Sequence, residues 1–207
     1  MQATGETVTA GIRRYKHGIL LLLASLAIMV WRYPSFFVHP RFWAEEGVVV
    51  FGLMIKDGLG AVLRYNIGYF SLVPLVASAL MSLTSIDQAP FVTLFVSLLF
   101  QAMVVAIVAF GNSPFWDSLR KKAIVCLAIV LLPQAEIWLT VIATQYWLCV
   151  GVFLVFLEDV SAAGTARRVW YRSILVLGCL NGIMSCFLTP LYVVRACRSK
   201  AREYRIQ

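Results

Sequence analysis

The stretch FVTLFVSLLFQAMVVAIVAF, residues 91–110, decides the fold of this chain. It contains no Asp, Glu, Lys or Arg, and about 20 apolar residues are what an α-helix needs to cross a bilayer. The segment that follows, Gly111-Asn112-Ser113-Pro114, is rich in residues that end helices. The sequence therefore predicts a membrane-spanning helix at this position.

The composition of the whole chain is also typical of a membrane protein. Of its 207 residues, 61% are hydrophobic and 14% are charged, and the mean hydropathy is +0.83. Soluble domains carry about 45–50% apolar and about 25% charged residues. We therefore expect an all-α, polytopic transmembrane helical protein of about 5–7 spans, with residues 1–207 forming a single transmembrane domain.

The N-terminal third predicts two further spans. Residues 1–17 are polar and predict a cytoplasmic tail, and Gly18–Trp31 predicts a first span that is not cleaved, since no small-residue cleavage site follows it. Ile67–Leu83 predicts a second span with Pro74 inside it. Between these two spans, residues 33–66 predict the first extracytoplasmic loop.

One segment of this loop and three later runs are less regular. Val48–Arg64 is apolar but interrupted by charges and glycines, which favours an amphipathic helix lying at the membrane interface. Short apolar runs lie at 123–132 and 146–157. Residues 173–194 predict either one long span or two short helices, because Asn181-Gly182 and Thr189-Pro190 are helix breakers.

The net charge of +8 comes from basic clusters that border the apolar runs. This is the positive-inside pattern, in which short cytoplasmic loops hold Lys and Arg that attract anionic lipid headgroups. It indicates a membrane-lipid partner and excludes nucleic acid. The last cluster belongs to a basic C-terminal tail at 195–207. The clusters are Arg13, Arg14 and Lys16; Arg120, Lys121 and Lys122; Arg167, Arg168 and Arg172; and Arg195, Arg198, Lys200, Arg202 and Arg205.

The orientation of the second basic cluster conflicts with a simple alternation of spans. If residues 13–16 are inside, two further crossings place residues 120–122 outside, against the positive-inside rule. Three alternatives are open: a further crossing within 47–66, a re-entrant pair of helices, or a loop that violates the rule.

Cysteine and histidine usage excludes the common metal and disulfide sites. The five cysteines are scattered, none forms a C-x-x-C pair, and most lie inside apolar runs, so we interpret them as small hydrophobic residues. With two histidines and no H-E-x-x-H motif, we expect no cofactor. A divalent metal at Glu45 and Glu46 is the one alternative.

The stretch HPRFWAEEG, residues 39–47, is where chemistry is expected. It sets two adjacent carboxylates beside aromatic residues and an arginine, directly after the first span. Ionisable residues close to a bilayer are costly and mark functional sites by default. The alternative is that they are solvated loop residues at a helix start.

Longer segments around this stretch resemble the start of bacterial GT-C superfamily membrane glycosyltransferases. The similarity lies in RYPSFFVHPRFWAEEGVVVFGLMIKDG, with its aromatic-Ala-Glu-acidic-Gly motif at 43–47, and in YNIGYFSLVPLVASAL, with Gly68, Tyr69 and Pro74. The run from Pro133 to Leu148 resembles a second outward-facing motif, and Asn181–Leu191 a small-residue turn. The chain resembles the N-terminal half of such enzymes, which are usually about twice as long.

The resemblance implies a sugar transfer at the outer face of the bacterial cytoplasmic (inner) membrane. The donor would be a sugar on a polyprenyl phosphate, and the acceptor a hydroxyl of a glycan, lipid or protein. Glu45 would be the catalytic base, with Glu46 as its support. The candidate substrate-binding residues are His39, Arg41, Trp43, Arg64, Tyr65, Tyr69, Glu136, Gln145 and Trp147.

Several of these residues have structural alternatives. In the alternative interpretation, Arg64 is an interfacial residue whose aliphatic stem lies in the membrane. The aromatic residues would then form an interfacial belt. At the level of the whole protein, the alternatives are a non-catalytic accessory protein of surface-glycan synthesis, acting with a partner membrane subunit, and a small transporter.

Overall fold

The computed structural model describes residues 3–43, 45–58, 60, 70–132 and 139–199, with only the backbone considered for residues 3–14. Within these ranges the chain is helical and contains no strand. The α-helices are α1 Ala3–Arg32, α2 Pro34–Val38, α3 Gly52–Asp57, α4 Leu72–Met81, α5 Ala89–Phe110, α6 Leu119–Val130, α7 Thr144–Leu157, α8 Thr165–Cys179 and α9 Thr189–Arg198. A π-helix at Glu46–Phe51 leads into α3, and short 3₁₀ helices lie at Pro114–Trp116 and Met184–Leu188.

Two helices of the described chain are long and apolar enough to cross a membrane. They are the Tyr15–Arg32 part of α1 and all of α5, and they coincide with the predicted spans at 18–31 and 91–110. The polar segment before the first span continues the same helix, since α1 begins at Ala3.

The predicted span at 67–83 is a much shorter helix. The structure describes α4 as ten residues, Leu72–Met81, about 15 Å long and half of a bilayer core of about 30 Å. Pro74 lies in its first turn, where backbone N–H groups have no intrahelical acceptor. The N–H that proline lacks therefore costs no hydrogen bond. The proline therefore marks the start of this helix and not a point inside a longer one.

Helix α4 begins in the interior of the bundle. Near its start, Val73 lies in an apolar cluster with Leu148 of α7 and Phe100 of α5. Its last residue, Met81, belongs to a second cluster with Ala89, the first residue of α5. Helix α4 thus runs from the interior of the bundle to the end at which α5 begins.

Helices α1 and α5 are antiparallel, so the start of α1 lies at the same end of the bundle as Lys122. The Tyr15 ring lies 5.5 Å from that of Phe110, the last residue of α5. Lys122 and His17 line one cavity. We call this the basic end of the bundle, and the end that holds Trp43, Glu46 and Ala89 the loop end.

The C-terminal region breaks as the two-helix alternative predicts. Helix α8 ends at Cys179, and Gly182 adopts a positive φ of 85° that favours glycine. Helix α9 continues to Arg198 and so includes the first four residues of the predicted basic tail at 195–207. Arg195 turns into the bundle and donates to the carbonyl oxygens of Phe156 and Glu158.

The start of α4 and the break after α8 meet inside the bundle through Asn181. Its side-chain oxygen accepts from the Val73 N–H at 2.8 Å and from the Ser71 hydroxyl at 3.2 Å, and its amide donates to the Thr144 hydroxyl at 3.0 Å. Ser71 and Asn181 also form an isolated antiparallel β-bridge. Asn181 is fully buried. Its hydrogen bonds therefore give partners to backbone and side-chain groups that water does not reach.

Replacing Asn181 with Ala is expected to destabilise the protein by about 1–3 kcal/mol, since it leaves the buried Val73 N–H without an acceptor. Ser71→Ala is the matched control. It removes the longer bond from a half-buried hydroxyl, and its effect should be smaller. Thermal unfolding of both variants in detergent measures the difference, and equal midpoints would contradict this role of Asn181.

Candidate functional site

The candidate loop is short and runs between two helical segments. Helix α2 ends where the His39 N–H donates to the Ser35 carbonyl at 2.8 Å. The backbone then leaves the helical conformation until Glu45, which precedes the π-helix. A turn connects the loop to the π-helix, because the Glu46 N–H donates to the Trp43 carbonyl at 3.0 Å.

Glu46 fastens this loop to a distant part of the chain. One carboxylate oxygen accepts from the Trp43 N–H at 2.9 Å, and the other accepts from the Val141 N–H, just before α7. The side chain is 1% exposed. Burial raises the pKa of Glu46 to about 7, although the backbone hydrogen bonds oppose this shift. Glu46 is therefore a buried residue that anchors the loop.

Glu45 has the opposite environment. Its side chain is exposed, so it can meet a molecule from solution or from the membrane surface while Glu46 holds the backbone beside it. The two adjacent glutamates thus differ in what they can contact.

Arg41 lies on the same loop and is also exposed. Its guanidinium group lies 5.5 Å from the centre of the Trp43 ring and 6.0 Å from that of Phe36. Contacts of this kind hold a cation in place while leaving its N–H groups free to bind an anion. His39 is exposed at the end of α2.

Two candidates on α7 are buried. Trp147 is 1% exposed and belongs to the main apolar core, so the structure corrects its predicted role in an outer cavity. Gln145 is 5% exposed and approaches Gly182 so closely that a Cβ there would lie 2.4 Å from its side-chain oxygen. Four other candidates, Arg64, Tyr65, Tyr69 and Glu136, lie outside the described residues.

The carboxylate pair is poorly suited to a divalent metal. Both oxygens of Glu46 face backbone N–H donors, and a cation would have to share them with these positive hydrogens. In the described part of the chain, no group of three or more His, Cys, Asp and Glu side chains could hold a metal ion.

A second polar cluster lies at the basic end and centres on Glu158. The sequence favours a solvent-facing helix end here, but Glu158 is 1% exposed. It accepts from the Trp116 ring N–H at 2.9 Å, the Tyr171 hydroxyl at 2.8 Å and the Asn112 N–H at 2.7 Å. The signals for this site in the sequence are Trp116 and Tyr171, since buried aromatic residues with polar groups need hydrogen-bond partners.

Lys122 is buried at the same end. Its ammonium group donates to the carbonyl oxygens of Ala109 at 3.0 Å and Gly111 at 2.9 Å, where α5 ends. A cation at this position satisfies carbonyls that have no intrahelical partner and opposes the negative end of the helix dipole. Beside these groups lies a cavity of about 1390 Å³, lined among others by His17, Lys122 and Arg198.

Comparisons of the chain with known protein families, with curated proteins and with solved structures give no match.

The stability of the protein should depend on pH through Glu46. Its carboxyl has a pKa of about 7 in the folded chain, against 4.5 when unfolded. The unfolded state therefore loses this proton first as the pH rises. The stabilising contribution is complete below pH 4.5 and is lost as the pH approaches 7. Thermal unfolding of the wild type and Glu46→Gln across this range measures it, and identical pH dependence in both would contradict the assignment.

Lys122→Met should destabilise the protein by about 2–3 kcal/mol, because it leaves carbonyl groups at the end of α5 without their charged donor. Lys121→Met is the matched control. Lys121 forms an exposed ion pair with Asp117, which is worth about 0–1 kcal/mol. Denaturation of both variants in detergent tests this, and similar losses of stability would show that burial of Lys122 does not matter.

Proposed function

We propose that the chain is a multi-pass protein of the bacterial cytoplasmic membrane that acts as a GT-C type glycosyltransferase, with the loop end outside. It would move a sugar from a polyprenyl-phosphate donor to a hydroxyl of a glycan, lipid or protein. The observation that carries the proposal is the pairing of an exposed glutamate, Glu45, with a buried one, Glu46, that fixes the loop.

Glu45 would be the general base of this reaction. It would take the proton of the acceptor hydroxyl as the hydroxyl oxygen attacks the anomeric carbon. The bond between that carbon and the phosphate oxygen breaks, and the lipid phosphate leaves with the bonding electrons. The exposure of Glu45 supports this role, since a base must reach its substrate. Glu46 would act as a positioning residue.

Arg41 would bind the leaving phosphate. A guanidinium group can contact two phosphate oxygens at once, which favours arginine over lysine for this task. The contacts with Trp43 and Phe36 support the assignment, because they restrict the position of a side chain that would otherwise be mobile. His39 and Trp43, on the same loop, would contact the sugar or its phosphate.

One observation favours a small transporter as the second candidate. The start of α4 and the break after α8 meet inside the bundle through Asn181. Transporters often bind their substrates where discontinuous helices meet. Substrate uptake into vesicles that requires Asn181 but not Glu45 would favour this reading over sugar transfer.

Glu45→Gln should reduce sugar transfer by about 100-fold or more, the usual effect of removing a general base. The measurement is mass spectrometry of the lipids and surface polysaccharide of a deletion strain complemented with wild type or variant. Asp87→Asn is the matched control, since Asp87 is an exposed carboxylate in the turn before α5. Restoration of the missing sugar by Glu45→Gln as well as by wild type would overturn the proposed base.

A further inference from the structure

The cavity at the basic end lies far from the candidate loop and has a different chemistry. We propose that it binds an anionic phospholipid, with the phosphate headgroup between α1 and α9 and one acyl chain along the apolar wall. This site does not depend on the sugar-transfer reaction, which would take place at the loop end.

The cavity has the size and walls that such a lipid requires. Its volume is about 1390 Å³, and Leu21 of α1 with Leu191 and Val194 of α9 form part of an apolar wall. The apolar surface continues outside the cavity along α1, where Leu20 is 64% exposed and Leu23 is 58% exposed. An acyl chain could therefore follow α1 away from the headgroup, since exposed apolar surface next to a membrane is covered by lipid chains.

Two basic side chains at this cavity are available for a headgroup. His17 and Arg198 both line it, and within the described part of the chain neither donates a hydrogen bond to another residue. Arg198 is exposed in the last turn of α9. Basic pockets between helices on the cytoplasmic side of membrane proteins bind phosphate headgroups, to which arginine can donate two parallel hydrogen bonds.

The acidic residues that line the cavity are engaged in other contacts. Asp117 pairs with Lys121 at 3.0 Å. Glu158 accepts its three hydrogen bonds from groups of the protein. Asp159 accepts from the backbone and hydroxyl of Ser161. An ion pair thus holds Asp117, and hydrogen bonds from neutral groups hold Glu158 and Asp159, before any ligand arrives.

The buried Lys122 and the half-buried Arg195 compensate the helix ends. Lys122 and Arg195 donate to the last carbonyls of α5 and α7, which would otherwise make the base of the cavity negative. The positive charge of Arg198 is therefore not needed to balance the helix dipoles. This arrangement favours an anion over a neutral or cationic headgroup.

The test is native mass spectrometry of the full chain in detergent, titrated with phosphatidylglycerol or with phosphatidylcholine at equal concentrations. We expect tighter binding of phosphatidylglycerol, and Arg198→Gln should weaken it about fivefold, the effect of one arginine near a lipid headgroup. Arg120→Gln is the matched control. It removes the same charge from an exposed side chain at the same end that does not line the cavity, and it should leave binding unchanged.

Three results would overturn the proposal. Equal binding of the two lipids would show that the headgroup charge is not recognised. Equal effects of Arg198→Gln and Arg120→Gln would show a general effect of charge. Displacement of phosphatidylglycerol by an equal concentration of inorganic phosphate would show a site for free anions. Thermal unfolding of each variant without lipid confirms that it is folded.

Discussion

The bundle depends on cations that bind the carbonyl ends of neighbouring helices. Arg32 at the end of α1 donates to the carbonyls of Val130, the last residue of α6, and of Leu132 just beyond it. Lys122 does the same for α5, and Arg195 for α7. A helix that ends away from water leaves carbonyls unpaired, and each of these costs free energy unless a donor reaches it. These three side chains therefore fix which helix ends lie together.

The sequence predicts the long helices well because their signal is local. Length and hydropathy are sufficient for α5 and for the apolar part of α1. They are not sufficient for α4, whose start is set by Pro74 together with a bond from Val73 to Asn181. Neither periodicity nor composition predicts Asn181 as the partner of Val73, since the two residues are distant in the chain. The apolar run at 67–83 alone suggests a full span.

The candidate site is likewise predicted in its local features but not in its contacts with distant residues. The motif at 43–47 predicts where two carboxylates lie, but not that Glu46 is buried and Glu45 exposed. That difference is set by the Val141 N–H, which reaches Glu46 from the segment before α7. The sequence does not predict the burial of Glu158 for a similar reason, because its partners Trp116 and Tyr171 are on other helices. The basic clusters predict contacts with lipid headgroups, whereas the burial of Lys122 depends on tertiary packing.

The contact between Val73 and Asn181 also has a consequence for biosynthesis. Asn181 follows Val73 by 108 residues, so the ribosome adds it on the order of ten seconds later. During that interval the start of α4 has no native acceptor for its backbone N–H, and it must remain near water or be covered by another protein. Insertion of this segment into the bundle is thus a late event, completed only when the region after α8 has been made.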